Sequence, residues 1–232
     1  MAESNAADWF AGSMTAAAVI VALGGYGFAE WQRRRDKKDA ERQSGRLIGV
    51  KLMKVMNGSD DIRRHIWADY NGPPLGGRDA HELWRTIQPL VGLQDDPAVA
   101  LNDAETNLLI QANATNFLME LMLVTIRYQS IVSSMKEYQL RYDALYQLSP
   151  APVAMLGQVG QHILTHEQYM RMQPYSLALE ALIQRLKAMT AENMDMCRRL
   201  AREYQPIMKS YFKAEKFLAL VDPKQSDDTF AA

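Results

Sequence analysis

Apolar residues recur at alternating spacings of three and four residues along two long stretches of the chain. The first stretch holds eleven such positions from Ile110 to Leu145, and the second has thirteen positions at this spacing from Leu179 to Val221, eleven of them apolar. This period keeps the positions on one face of an α-helix and is typical of coiled coils. No stretch alternates apolar and polar residues with the period of a β-strand. The pattern predicts an all-α fold in which residues 102–148 and 175–221 form two long, coiled-coil-like helices, paired as an antiparallel hairpin.

Prolines set the expected limits of these two helices. Pro150 and Pro152 end the first helix, and Pro174 suits the first turn of the second. Pro206 lies inside the second helix, where we expect it to produce a kink. The 26 residues between the helices are expected to hold a further short helix around residues 155–171.

The first half of the first long helix is apolar on its back as well as along its seam. The back carries Ala112, Met119, Met122 and Ile126. A helix that is apolar on two sides needs a partner on each side. We expect the short elements before residue 100 to supply the second partner, which gives an elongated bundle of four or five helices.

The region before residue 100 is expected to contain several shorter helices. Residues 33–56 form a basic helix that ends at Asn57, Gly58 and Ser59, because glycine suits a helix C-terminus and serine suits the N-cap of the next helix. A second helix carrying Ile62 and Ile66 follows this break.

The N-terminal region contains 21 consecutive residues without a charge, from Trp9 to Ala29. A helix of this length covers about 32 Å, enough to cross a hydrocarbon core of about 30 Å. Trp9 and Trp31 bracket the run, where an aromatic belt would place them. A cleaved signal peptide would have basic residues before the run, whereas this chain has Glu3 and Asp8 there. The run therefore predicts one transmembrane helix over residues 9–31.

A dense group of basic residues follows the predicted span. Nine basic and three acidic residues lie between Arg33 and Lys54. The positive-inside rule then places the N-terminus outside and the rest of the chain in the cytoplasm, as in a bacterial inner-membrane protein with a single span and an uncleaved signal anchor. The same charges suit contact with anionic lipid head groups. The residues assigned to topology and membrane contact are Arg33, Arg34, Arg35, Lys37, Lys38 and Arg42.

These patterns divide the chain into five segments. Residues 1–8 form a short extracytoplasmic tail, 9–31 the transmembrane helix, and 32–100 the basic juxtamembrane helix with the short helices. Residues 101–222 form the hairpin bundle, and the polar, acidic residues 223–232 form a disordered tail.

Charge and cysteine content exclude several classes of protein. The chain has 26 lysines and arginines against 27 aspartates and glutamates, which disfavours a generally basic nucleic-acid binder. The single cysteine, Cys197, excludes an intrachain disulfide framework and a multi-cysteine metal site.

Motifs for catalysis or cofactor binding are weak. His162 and His166 lie four residues apart, a spacing that suits a metal or haem, but the zinc-protease order and the paired di-iron motif are both missing. We therefore expect no cofactor and no catalysis.

Two polar residues, Thr190 and Asn193, interrupt the seam of the second long helix. A polar residue in such a seam can fix the register or the number of partner helices. The alternative is an ordinary buried polar group that is hydrogen-bonded within the bundle.

The sequence favours a membrane-anchored cytoplasmic scaffold or adaptor over an enzyme. Its helical seams would hold a protein partner or a second copy of the chain, and no nucleic acid. The alternative hypothesis is a membrane-tethered sensory or regulatory bundle that binds a small ligand or haem between its helices through His162, His166 and the tyrosine-rich seam.

Overall fold

The structure is a computed structural model that describes residues 3–68, 83–85, 87–90, 92–93, 97–150, 154–156, 159–161, 164–213 and 217–220. For residues 3–22, 68, 97 and the two strands it describes the secondary structure alone. The helices are α1 (Glu3–Ala68), α2 (Asp103–Gln111), α3 (Thr115–Leu148) and α4 (His166–Phe212). Single 3-10 turns occupy Leu83–Arg85 and Pro97–Val99. The strands β1 (Ala154–Leu156) and β2 (Val159–Gln161) form an antiparallel pair in which Met155 lies opposite Gly160.

The helical bundle that the sequence predicts is confirmed. Helix α4 runs antiparallel to α3, because Arg199 pairs with Glu120 while Glu192 pairs with Arg127. It also runs antiparallel to α1, as hydrogen bonds from α4 reach α1 at Gly45 and Ser59 in the reverse order. Helices α1 and α3 are therefore parallel to each other. Described residues between α1 and α2 bond to both α3 and α1, since the Tyr138 hydroxyl donates to the Ile87 carbonyl oxygen and Lys51 donates to the Ala100 carbonyl oxygen.

The interior of the bundle consists of two apolar clusters that meet at Tyr128. One cluster lies where α1, α2, α3 and α4 come together, around Leu52, Leu109 and Leu200. The other lies further along the bundle, and its buried residues are Ile62, Ile66, Leu83, Ile87, Ile131, Val132, Met135, Tyr138, Leu145, Leu179, Ile183 and Leu186.

Helix α1 is continuous over 66 residues, so the predicted break at Asn57, Gly58 and Ser59 is wrong. Gly58 faces the Tyr128 ring, whose Cε2 atom would lie 2.8 Å from a Cβ atom at this position. Ser59 is buried and accepts a hydrogen bond from Asn193. These small residues serve the packing of α1 against α3 and α4 and do not end a helix.

The predicted helix over residues 102–148 is divided into α2 and α3. Asn102 caps α2 in a reciprocal capping box with Glu105. Asn113 then adopts a left-handed backbone conformation with φ 57°, which asparagine tolerates better than most residues and which stops the helix. Because α3 begins afresh at Thr115, Ile110 leaves the seam and is exposed.

The second long helix begins nine residues earlier than predicted, at His166. Thr165 and Gln168 form a capping box at its start, and Pro174 lies in the helix interior together with Pro206. The helix predicted around 155–171 is therefore wrong: the described part of the connector is the β1–β2 hairpin, and α4 already includes the later residues. Helix α4 ends at Phe212 because Lys213 takes a left-handed conformation.

Most of the predicted transmembrane segment, residues 9–22, lies outside the residues whose side chains are described. Among the described residues, no helix is both long and apolar enough to cross a membrane. Helix α1 begins at Glu3, inside the segment that was expected to be an N-terminal tail. The expected disordered tail, residues 223–232, lies outside the described residues.

Candidate functional site

The basic residues after the uncharged run lie on α1, those from Arg33 to Lys38 before the bundle and Arg42 at its start. Residues 31–40 are all exposed, and burial against the bundle begins at Glu41, where the Tyr211 hydroxyl lies 3.4 Å from a carboxylate oxygen. We call Arg33, Arg34, Arg35, Lys37, Lys38 and Arg42 the basic collar.

The collar covers a little more than half of the helix circumference. Successive residues of an α-helix point about 100° apart, so the six basic positions fall within an arc of about 200°, and Asp36 and Asp39 lie in the remaining arc. Arg33, Arg34 and Arg35 point in three different directions. A helix that lies flat on a membrane has one polar face and one apolar face, whereas this stretch has charged residues on both sides.

Acidic neighbours pair with part of the collar without removing it from solvent. Arg34 lies 2.9 Å from Glu30, and Arg42 lies 3.6 Å from Asp39. Exposed pairs of this kind contribute about 0–1 kcal/mol, since water screens them. They can exchange for a phosphate partner at little cost.

Exposed aromatic side chains precede the collar on the same helix. Tyr26 is 75% exposed, Phe28 63% and Trp31 56%. The rings of Phe28 and Trp31 lie 5.8 Å apart, and the Arg35 guanidinium lies 5.6 Å from the Trp31 ring. Aromatic rings beside basic groups are typical of the interface between a bilayer and water.

The two polar residues of the α4 seam are fully buried and bonded inside the bundle. The Asn193 side-chain amide donates to the Ser59 hydroxyl at 2.9 Å and so links α4 to α1. The Thr190 hydroxyl donates to the Leu186 carbonyl oxygen at 2.9 Å, one turn back in its own helix. The Thr190 hydroxyl thus forms its hydrogen bond within α4, whereas the Asn193 amide forms a hydrogen bond between α4 and α1.

Only one of the two histidines that a haem or metal site would use lies among the described residues. His166 is the first residue of α4, and His162 lies outside the described residues. His65 binds the Gln88 carbonyl oxygen at 2.7 Å on another part of the bundle. Within the described ranges, no three histidine, cysteine or acidic side chains are grouped as metal ligands would be.

The tyrosine-rich seam contributes to the core. Tyr138 is fully buried, and its hydroxyl donates to the carbonyl oxygens of Trp84 and Ile87 at 3.0 and 2.7 Å. The Tyr204 hydroxyl donates to the Gly45 carbonyl oxygen at 2.7 Å, and burial raises the pKa of this phenol. Burial also raises the pKa of the Cys197 thiol to about 12, well above that of a reactive cysteine.

No protein-family model matches the chain, and no curated protein or solved structure matches it either. The basis for a function is therefore the placement of its own side chains.

Two polar contacts of α1 were not predicted from the sequence, one to α2 and one within α1 itself. Lys51 donates to buried Glu105 at 2.6 Å and to the Ala100 carbonyl oxygen at 2.7 Å, which joins α1 to α2. Asp60 accepts hydrogen bonds from Arg63 and Arg64 at 2.7 and 2.6 Å. Only the contact of Asp60 with Arg63 and Arg64 could be anticipated from the sequence, because residues three and four apart are neighbours on a helix.

Proposed function

We propose that the chain is a membrane-tethered helical scaffold that holds a protein partner at the cytoplasmic face of a bacterial inner membrane. Residues 9–31 would cross the bilayer, and the basic collar would contact anionic head groups. The observation that carries the proposal is the continuity of α1, which joins the uncharged run to the core of the bundle through an exposed, basic stretch.

The collar supports both the anchoring and the orientation. Each basic residue near an anionic surface contributes about 1 kcal/mol, so the three nearest to the predicted span, Arg33, Arg34 and Arg35, strengthen attachment by about 3 kcal/mol. The same residues favour retention of this end of the span on the cytoplasmic side. The N-terminus would then lie outside.

The distance between the uncharged run and the bundle supports a scaffold. Eleven residues lie between Ala29, the end of the uncharged run, and Glu41, where burial begins, which makes twelve helical steps. In an α-helix they cover about 18 Å, which lifts the bundle clear of the head groups. The sides of the bundle would then be open to proteins in the cytoplasm, and the proposal assigns no catalysis to it.

Membrane retention of the full chain tests the tether. We expect the chain expressed in bacteria to stay with the membrane fraction after an alkaline wash. A chain released by that wash would overturn the transmembrane tether.

Charge reversal tests the collar. We expect Arg33→Glu, Arg34→Glu and Arg35→Glu together to invert or mix the orientation, read from protease access to the bundle in spheroplasts. A matched control reverses three exposed bundle residues, Arg141, Arg171 and Arg185, and should leave the orientation unchanged. Unchanged orientation and retention in the collar variant would remove the role we assign to it.

A further inference from the structure

The side of α3 that faces away from the seam is apolar and exposed. We call it the outer face of α3 and define it by Met119, Met122, Leu123 and Ile126, which are 65, 49, 41 and 57% exposed. They lie on two successive turns, opposite the buried Leu121 and Val124 of the seam. The sequence predicts that Met119, Met122 and Ile126 are buried by another part of the chain, yet no described residue covers them.

The outer face is also free of charge over about five turns. Between Thr115 and Met135 the only charged residues are Glu120 and Arg127. Both point towards α4, where Glu120 binds Arg199 at 2.8 Å and Arg127 lies 3.4 Å from Glu192.

Small residues continue the face beyond Ile126. Ser130 and Ser133 are exposed, and the Ser130 hydroxyl donates to the Ile126 carbonyl oxygen at 3.0 Å. A hydroxyl bonded within its own helix loses little when water is removed. Small side chains also allow another helix to come close.

We propose that the outer face of α3 binds the outer face of α3 in a second copy of the chain, with the two bundles parallel about a twofold axis. A twofold axis places each residue near its own equivalent, so any charge on such a face would meet a like charge. An uncharged face avoids this repulsion, and so favours self-association over a partner recognised through charge. The parallel arrangement rests on the proposed function, because two copies tethered to one membrane point the same way.

The size of the face indicates how strong this association is. Stable complexes cover about 800 Å² on each partner, more than four partly exposed side chains supply. The pairing is therefore weak between free molecules and depends on confinement in the plane of the membrane, which raises the effective concentration. We expect dimers in vesicles at lipid dilutions where random encounters are rare.

Cysteine cross-linking of the full chain in lipid vesicles tests the proposal. The native Cys197 is buried and stays unreactive, so single cysteines introduced elsewhere report their own surroundings. We expect Met122→Cys to form a disulfide dimer on mild oxidation about tenfold faster than the control Asp195→Cys, which lies exposed at a similar height on α4. Adding Met119→Lys to the Met122→Cys variant should abolish the advantage, while the melting temperature stays unchanged.

Each outcome is decisive. Equal rates at the two cysteines would overturn the pairing, whether both react or neither does. A Met122→Cys that is slow to react with maleimide and forms no dimer would also overturn it, and would show that another part of the same chain covers the face. An alkaline wash of the same vesicles separates the two proposals. Retention without cross-linking refutes the pairing alone, whereas cross-linking without retention refutes the tether and the dependence of the pairing on confinement in the membrane.

Discussion

Gly49 is the position where one added methyl group tests the packing of α1 against α4 most directly. A Cβ atom there would lie 2.8 Å from the Tyr204 hydroxyl oxygen and 2.9 Å from the ring carbon that bears it. Carbon atoms in comfortable contact lie about 3.5–4.0 Å apart, so the two helices must separate by about 0.6–1 Å. The ring cannot turn away, because it is fully buried and its hydroxyl is bonded to the Gly45 carbonyl oxygen.

Two opposing effects decide the stability of Gly49→Ala. Overpacking a close-packed interior costs about 1–3 kcal/mol, and the better helix propensity of alanine returns at most about 1 kcal/mol. We expect a net loss of about 1–2 kcal/mol in the free energy of unfolding. Urea denaturation followed by circular dichroism measures it. Gly27→Ala is the matched control, since a Cβ atom there meets nothing within 4 Å.

A double variant shows whether Tyr204 is the cause. Tyr204→Leu removes the atoms that the new methyl group meets, so it should cost less in the Gly49→Ala background than in the native chain. We expect a favourable coupling of about 1 kcal/mol or more. A Gly49→Ala protein as stable as the native one, or additive effects of the two substitutions, would refute the close approach of the helices at this point.

Three further expectations concern buried charge and thiol chemistry. Lys51→Ala should lower the free energy of unfolding by about 3–5 kcal/mol in urea, since the buried Glu105 carboxylate loses its partner, and Lys51→Met should not restore it. Burial raises the pKa of Cys197 to about 12, so the thiol should react with Ellman's reagent at pH 8 only after unfolding; rapid reaction of the folded protein would show that it is accessible. Burial alone would raise the pKa of Asp60, but the hydrogen bonds and charges of Arg63 and Arg64 together lower this pKa below 3.8. The stability that ionised Asp60 contributes is therefore present above about pH 4 and is lost as the pH falls through the lowered pKa. Asp60→Asn should therefore be less stable than the native protein at pH 7 and should lose less stability between pH 5 and pH 2, whereas parallel pH profiles would show that Asp60 is not responsible.

The seams of the two long helices could be predicted because their period is local and regular. Every seam position from Phe117 to Leu145 and from Leu179 to Tyr204 is buried or partly buried. The start of α4 also had a local signal, the capping box of Thr165 and Gln168. Pro174 concealed it, because a proline is expected in the first turn and here lies in the third turn.

Helix α1 was harder to predict than the two long helices with regular seams, because the contacts that explain its continuity are long-range. Residues 57–60 of α1 are typical of a turn when considered alone. Their partners, Tyr128 and Asn193, lie 70 and 134 residues away, and only these contacts explain a glycine and a buried serine within a helix.

The error about the back of α3 follows from the same cause. The sequence predicted that short elements before residue 100 pack over Met119, Met122 and Ile126. Helix α1 instead packs on the seam side, where Leu52 and Val55 join the same cluster as Val124. The apolar back is therefore left exposed by the described residues.

Because α1 is unbroken, the number of residues between the uncharged run and the bundle determines the height and the direction of the bundle relative to that run. Each residue of an α-helix adds about 1.5 Å of height and about 100° of rotation. Inserting two residues near Ala40 would turn the bundle by about 160° relative to the N-terminal part of α1, whereas inserting seven would return it to within about 20° of its native direction and raise it by about 10 Å. A linker of flexible chain would absorb either change. In this protein the number of residues in α1 determines the direction in which every surface of the bundle points relative to the N-terminal part of the helix, and this includes the outer face of α3.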